Sequence, residues 1–375
     1  MPSEAGGACV SDLTERELIA RIQTFLPSPP PWLAVGIGDD AAVVEPERNR
    51  LEVLTVDTLV EGVHFDRAFV PPSAIGHRAL AVNLSDLAAM GAAPRLALLA
   101  MALPPSLPLP HFDAIVSGFC ALAERHRLHL AGGNLTKSPG PLMIDVTVSG
   151  TVKRRQVLTR SGARPGDEVY VSGAIGAARA GLLLLKSPTT EDTDTNRGHS
   201  SSREMPWPQF VSASTVVEQY LRPDPRVRLG VWLGRNRTAT ACIDLSDGLA
   251  DGVHRISESS GVGITVDADA LPIAEGARAV FERRGDAAVD EAIAGGDDYE
   301  LLFTVRRRKQ RSVVAAARHS GVPLTRIGVC TEGRAIVLRR AGTERPLPLA
   351  GYDHFGSPSP SASASREPAG TPVHE

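Results

Sequence analysis

The 375 residues carry 40 Lys and Arg against 43 Asp and Glu, a net charge of −3, which excludes a strongly basic surface for gripping nucleic acid or an anionic membrane. Hydrophobic residues make up 42% and aromatic residues 4%, so a core has to be built from Ala, Val, Leu and Ile, and the length suits about two domains. Cys9, Cys120, Cys242 and Cys330 lie far apart with no C-x-x-C pair, which argues against a disulfide framework or zinc site and for a reducing compartment.

In chain order, residues 1–11 read as a loose leader with no basic-then-apolar signal pattern. Thr14 and Glu17 form a T-x-x-E capping box ahead of Leu18, Ile19 and Ile22, which predicts a helix start. A Pro-rich connector follows at Pro27 and Pro29 to Pro31. Residues 51–57 read as a strand, Ile75–Met90 as a helix closed by Gly91 at C′, and about 111–127 as a second helix. The apolar run Leu96–Leu103 is stopped by Pro104 and Pro105, well short of the ~20 residues that cross a bilayer. No membrane partner and a cytoplasmic location are therefore expected. Gly132–Gly133 and Gly295–Gly296 read as turns that let backbone approach a phosphate or metal.

Residues 142–152 alternate, with Ile144, Val146, Val148 and Val152 on one side and Asp145, Thr147, Ser149 and Thr151 on the other. A domain boundary is expected near 155. Beyond it, 169–171, 263–267, 300–305 and 335–339 read as strands, and 247–258 and 308–319 as helices. The polar stretch 187–206 reads as a disordered insertion, and the Ser/Pro/Ala-rich residues 356–375 as a disordered tail. The expectation is an α/β (α+β) protein of two domains, 1–155 and 156–355.

The chemistry-bearing residues are acids in apolar, glycine-flanked settings. Asp39 and Asp40 stand in G-I-G-D-D-A-A-V-V. Asp57 ends a strand, and Asp86 lies on an Ala/Leu-rich helix with Asn83 one turn earlier. Asp244 and Asp247 stand in C-I-D-L-S-D-G-L, and Asp297 and Asp298 in A-G-G-D-D-Y-E-L-L-F. Any one of these is more simply explained by turn or cap chemistry. Together, with few Lys or Arg nearby, they need a partner for buried charge, and carboxylate oxygens suit Mg²⁺. Arg78, Lys137, Arg160 and Arg222 are the basic candidates; Arg160, at the domain junction, stands out, and the others read as solvated surface residues. There is no G-x-x-x-x-G-K-[ST] loop, no H-R-D set, no G-x-G-x-x-G after a strand and no G-x-S-x-G. No residue sits in a motif for a covalent nucleophile.

The motifs G-I-G-D-D-A-A-V, T-V-D-T-L-V-E-G-V-H-F, A-L-A-V-N-L-S-D-L-A-A-M-G-A, L-T-R-S-G-A-R-P-G-D, I-D-L-S-D-G-L, A-G-G-D-D-Y-E-L-L-F and G-Y-D-H-F occur in this order. From about Leu18 to Phe355 the chain thereby resembles the thiamine-monophosphate kinases of the aminoimidazole-ribonucleotide-synthetase-like superfamily. The resemblance implies a two-domain fold, a homodimer formed through the sheet of the N-terminal domain, and phosphoryl transfer from ATP to thiamine monophosphate with several Mg²⁺ ions. It implies metal ligands at Asp40, Thr55, Asp57, Asp86, Asn134, Asp244 and Asp247, ATP contacts at Gly133, Asn134, Arg160 and Ser246, and substrate contacts at His64, Asp297 and Tyr352. Two positions depart from the family pattern. Val56 stands in T-V-D where the family shows S-T-D, so it offers only a backbone carbonyl. Asn134 stands where the family has Asp in G-G-D, which keeps a carbonyl ligand and removes one negative charge.

Two alternatives stay open on sequence. A sister enzyme such as a selenophosphate synthetase or hydrogenase-maturation protein would show a reactive Cys near the N-terminus or at the C-terminus; Cys9 lacks that setting, and the chain ends Val373-His374-Glu375. A nucleotide-binding homologue without catalysis has Asn134 as its support.

Overall fold

The computed structural model describes residues 8–187 and 215–351. Tyr352, the insertion from residue 188 on and the tail lie outside these residues. Two sheets share one buried helix. The first sheet has four strands, β3 (Leu51–Val60), β4 (Ala93–Leu103), β5 (His129–Lys137) and β6 (Met143–Val152), in the order β3-β6-β4-β5. A small preceding ribbon pairs β1 (Leu33–Val35) with β2 (Val43–Val44).

On one face of the four-stranded sheet lie α2 (Pro72–Ala89) and α3 (Leu109–Arg125), with α1 (Glu15–Gln23) alongside. The capping box read at Thr14 and Glu17 starts α1. Pro72 opens α2, where the first helical position has no use for an N–H, and Pro108 and Pro110 flank the first residue of α3. Helix α2 is not amphipathic: 14 of its 18 residues are buried, because it is packed on all sides. Its crossing with α3 is close enough that a Cβ on Gly76 would lie 1.8 Å from the Ile115 carbonyl oxygen.

The second sheet has seven strands in the order β13-β12-β9-β11-β7-β10-β8. They are β7 (Glu168–Ser172), β8 (Ala239–Asp244), β9 (Gly263–Asp267), β10 (Leu301–Val305), β11 (Leu324–Thr331), β12 (Ile336–Arg340) and β13 (Thr343–Pro346), antiparallel except for the β9–β12 pair. Period-two alternation divides its strands between two cores. Tyr170, Cys242, Leu301 and Phe303 join the cluster around α2 and α3, while Val169, Val171, Ile243 and Leu302 join a second cluster. The helices are α4 (Ala177–Lys186), α5 (215–221), α6 (Val227–Arg235), α7 (Leu249–Ser260), α8 (Glu275–Arg284), α9 (Ala288–Ala294) and α10 (Gln310–Ser320). Helix α6 packs on α2, and α2 also touches β8, so one apolar core runs from the first sheet through α2 to the second.

Two local expectations are corrected, and two strands are added. Residues 8–12 are not loose: Cys9 bridges to Pro108, and Val10 is buried in a short 3-10 turn. Gly132–Gly133 is not a turn but part of β5, where a Cβ on Gly133 would lie 1.8 Å from the Leu99 carbonyl oxygen of β4. Leu96–Leu103 and 239–244 are strands as well: Leu96–Leu103 alternates in burial but carries apolar residues on both faces, which hides the pattern in sequence, and Ala241–Asp244 is buried on both faces.

Candidate active site

Strand β3 sorts its side chains by parity. Thr55 and Asp57 point inward toward α2, and Val56 points outward. Thr55 Oγ1 donates a hydrogen bond to Asp86 Oδ2 on α2. The neighbouring Ser85 Oγ donates to Asp244 Oδ2 at 2.7 Å, at the end of β8. Two adjacent α2 residues thus join the edge of the first sheet to the edge of the second. Val56, which stands where the family pattern has a threonine hydroxyl, faces away from this junction, so Thr55 is the hydroxyl available to Asp86.

The carboxylates here are too many for their cations. Burial, and then the charges of Asp86, Asp145 and Asp247, push Asp57 up to about 6. Burial and the Asp86 charge push Asp244 up to about 7, against the opposing pull of Ser85 and Arg160. Asp86 is raised by burial, with Thr55 and Arg160 opposing. Arg160 is the one cation that acts on both Asp86 and Asp244 in this balance. Asp145, read from sequence only as the polar side of a strand, accepts a 2.5 Å hydrogen bond from Thr58 Oγ1 and adds to the negative field on Asp57.

The second group of acids is built by the loop before β10. Asp297 N donates to the Ser246 carbonyl at 2.8 Å and Tyr299 N to the Leu245 carbonyl at 3.0 Å, which lays this loop along 245–247. Asp247 pairs with Arg255 of α7 at 3.6 Å; Gly248, not Asp247, takes the cap position of α7. Asp297 is held by Arg78 of α2 at 3.2 Å and by the Tyr299 hydroxyl at 2.9 Å. Asp298 caps α4 by accepting from Gly176 N at 2.6 Å and Ala178 N at 3.1 Å; burial pushes it up to about 7. Glu300 takes two bonds from Arg226, at 2.5 and 2.7 Å. The G-G-D-D-Y-E run is therefore a relay of structural anchors from which the Asp297 carboxylate emerges partly exposed.

The other candidates fall further out. His64 follows β3 in a turn and accepts from Val60 N at Nδ1, at 3.0 Å. Asp40 lies in an exposed segment, where its N–H bonds the Asp39 carboxylate; no hydrogen bond or ion pair ties it to Asp57, Asp86 or Asp244 among the described residues. Asn134 is on the outer face of edge strand β5, in the row Thr58–Asp145–Ala100–Asn134. In one copy it and Asp57 occupy opposite edges and opposite faces of the sheet.

No three His, Cys, Asp or Glu side chains converge as a ready-made metal cage among the described residues. The donor set still fits Mg²⁺, which is held by one or two carboxylates, with phosphate and water completing its octahedron. Arg78, expected at the surface, is in fact one of the largest fully buried side chains, and only tertiary packing reveals that.

Known proteins resemble this chain in sequence and fold. The family described as AIR synthase related protein matches through its N-terminal domain over residues 38–152 and its C-terminal domain over 164–340. The thiamine-monophosphate kinase of Salmonella typhimurium is 38% identical over 351 residues, 92% of this chain and 99% of that protein. The crystal structure of thiamine-monophosphate kinase from Stenotrophomonas maltophilia K279a superposes with a TM-score of 0.73 at 38% identity, over 88% of this chain and 97% of that one. AaThiL complexed with AMPPCP and TMP superposes with a TM-score of 0.68 at 30% identity, over 94% and 100%.

Proposed function

Because the chain belongs to the AIR synthase related family, and within it to the thiamine-monophosphate kinases, we propose that it transfers the γ-phosphoryl group of ATP to the phosphate of thiamine monophosphate, giving thiamine diphosphate. The observation that carries this reading is the pair Thr55–Asp86 and Ser85–Asp244, which gathers the family's acids at the junction of two sheets. A relative complexed with AMPPCP and TMP supports ATP and the monophosphate as the two substrates.

Two polyanions must be brought together, and the acceptor phosphate already supplies an anionic oxygen. The reaction needs charge screening and alignment more than a strong base. Asp57, Asp86 and Asp244, with Thr55, Asp247, Asp40 and Asn134, would hold Mg²⁺; bound there, the ions would neutralise phosphate charge. Arg160, with Ser246 and the Gly133–Asn134 backbone, supports the ATP phosphates. His64 and Asp297, with Tyr352 from outside the described residues, are the proposed contacts to the acceptor. No side chain serves as a covalent nucleophile, so transfer is direct and in line.

The organisation proposed is two domains, 1–155 and 156–355, paired as a homodimer through the outer face of the four-stranded sheet. Support for pairing comes from the apolar residues exposed on that face. Leu54 and Val56 of β3 are 70% and 58% exposed, beside exposed Leu98 and Met143. Asn134 lies on this same face, so its nucleotide role goes together with the pairing. No helix among the described residues is long and apolar enough to cross a membrane, and Cys120, Cys242 and Cys330 are free thiols; the location proposed is cytoplasmic.

The test is ADP release with and without thiamine monophosphate, coupled to identification of the product. Thiamine diphosphate formed one for one with ADP is the expected result. Equal ADP release without the monophosphate, or with aminoimidazole precursors in its place, would overturn the assignment.

A further inference from the structure

Arg78 is a cation placed where a cation is expensive. Its side chain is 2% exposed, inside a helix whose neighbours are Ala, Leu and Ile. Its guanidinium lies over the Tyr220 ring, 4.5 Å from the centroid, and Nη1 donates to the Tyr220 carbonyl. Nη2 reaches Asp297 Oδ2 at 3.2 Å. The planar fork is thus fixed from below by a ring and from one side by a backbone oxygen, with the remaining arm aimed at one carboxylate.

That carboxylate is held in an unusual pose. Asp297 and Tyr299 both have left-handed backbones, φ +68° and +50°, although neither is Gly. Such strain persists only where surrounding contacts over-determine it, and it concentrates at ligand sites. Here the contacts come from both sheets' sides of the molecule: Arg78 from α2 on Oδ2, and Tyr299 OH on Oδ1. Both oxygens are oriented, yet the side chain remains 34% exposed. Eight residues further along α2, about 12 Å at the helical rise, stands Asp86.

We propose that Arg78 is a positioning residue for the acceptor substrate: it fixes the Asp297 carboxylate, so that one helix sets both the phosphoryl-transfer acids and the group that receives the organic part of thiamine monophosphate. This rests on the reading of Asp297 as an acceptor contact. The amino-substituted, positively charged ring system of the acceptor suits an oriented carboxylate edge. ATP, whose contacts lie around Arg160 and Ser246, does not touch Arg78 in this scheme.

The test measures KM for both substrates in the full chain carrying Asp297→Asn, Arg78→Gln, Arg78→Lys and the Asp297→Asn/Arg78→Gln pair. Asp297→Asn and Arg78→Gln are each expected to raise KM for thiamine monophosphate by about 10-fold or more, with KM for ATP changed by less than about two-fold. The double variant should be little worse than either single one, because the two side chains form one device. Arg78→Lys should lie between, since one ammonium cannot serve both the Tyr220 carbonyl and Asp297 in the fork geometry.

If Asp297→Asn leaves KM for thiamine monophosphate unchanged, the reading of Asp297 fails and the proposal with it. If Asp297→Asn raises that KM and Arg78→Gln does not, or Arg78→Gln raises both KM values alike, only the positioning role of Arg78 is overturned. Should the glutamine variant not fold, Arg78→Lys decides: an unchanged ratio of the two KM values overturns the proposal.

Discussion

Ser85 and Asp244, 159 residues apart in the chain, are joined by a 2.7 Å hydrogen bond that links the C-terminal half of α2 to the end of β8. The hydroxyl steadies a buried carboxylate whose other large influences, burial and the Asp86 charge, oppose its ionisation. Ser85→Ala removes that donor and changes little volume. A hydrogen bond to a charged group contributes about 1.5–3 kcal/mol, so the Mg²⁺ concentration for half-maximal activity is expected to rise by about 10-fold or more. Titrating activity with Mg²⁺ at saturating ATP checks it; an unchanged midpoint would separate Asp244 from metal binding.

The stability of the metal-free protein should fall as pH rises from about 4 to 7. Asp57 is pushed up to about 6, and Asp244 and Asp298 to about 7. An aspartate raised in this way keeps its proton in the folded state through a range where the unfolded chain has already released it, so folding is favoured at the acid end of the window. Mg²⁺ held as proposed would compensate Asp57 and Asp244 but not Asp298, which is engaged in capping α4. Melting temperatures measured across this range in a chelator are expected to decline with pH, and added Mg²⁺ should raise them more at the alkaline end. The same slope in an Asp244→Asn variant would remove Asp244 from this account.

A charge on the outer face of the four-stranded sheet should dissociate the proposed dimer. Val56, in the row Val56–Thr147–Leu98, is the most direct position, because its side chain is exposed and points away from α2. Val56→Lys would bury an unpaired ammonium at an apolar contact. Light scattering behind size exclusion should show a single chain, with melting changed little because no core contact is lost. A monomeric wild-type protein would dispose of the dimer directly.

How much of this was legible in sequence follows from where each signal is stored. Helix α2 and strand β6 were readable because Gly91 and simple alternation are local. Strand β5 was not, because Gly132–Gly133 carries the composition of a turn while its real reason, the Leu99 backbone against Gly133, lies on another strand. The acids at Asp57, Asp86 and Asp244 were legible as charges in apolar settings. Arg78 was not, since a lone Arg normally marks the surface, and its burial depends on Tyr220 and Asp297, which approach only in the folded chain.

The proposed chemistry makes one displacement at phosphorus, and that has a stereochemical consequence. The acceptor is itself a phosphate, so an anionic oxygen is present at neutral pH without a base to generate it. No residue among the described acids is placed as an intermediate carrier: Asp86 is engaged by Thr55, and Asp244 by Ser85, and both fit metal binding through their charge. Asp86→Asn keeps the shape and loses the charge, so turnover should fall by about 100-fold or more through lost metal binding. The fold should survive, because the substitution relieves repulsion with Asp57 and Asp244. With ATP made chiral at the γ-phosphorus, a single in-line transfer inverts the configuration in the product, and two transfers through an enzyme carboxylate restore it. Inversion is the expected outcome. Net retention, or a phosphoenzyme that forms and decays as fast as turnover, would replace direct transfer with a covalent path and make one of these aspartates its carrier.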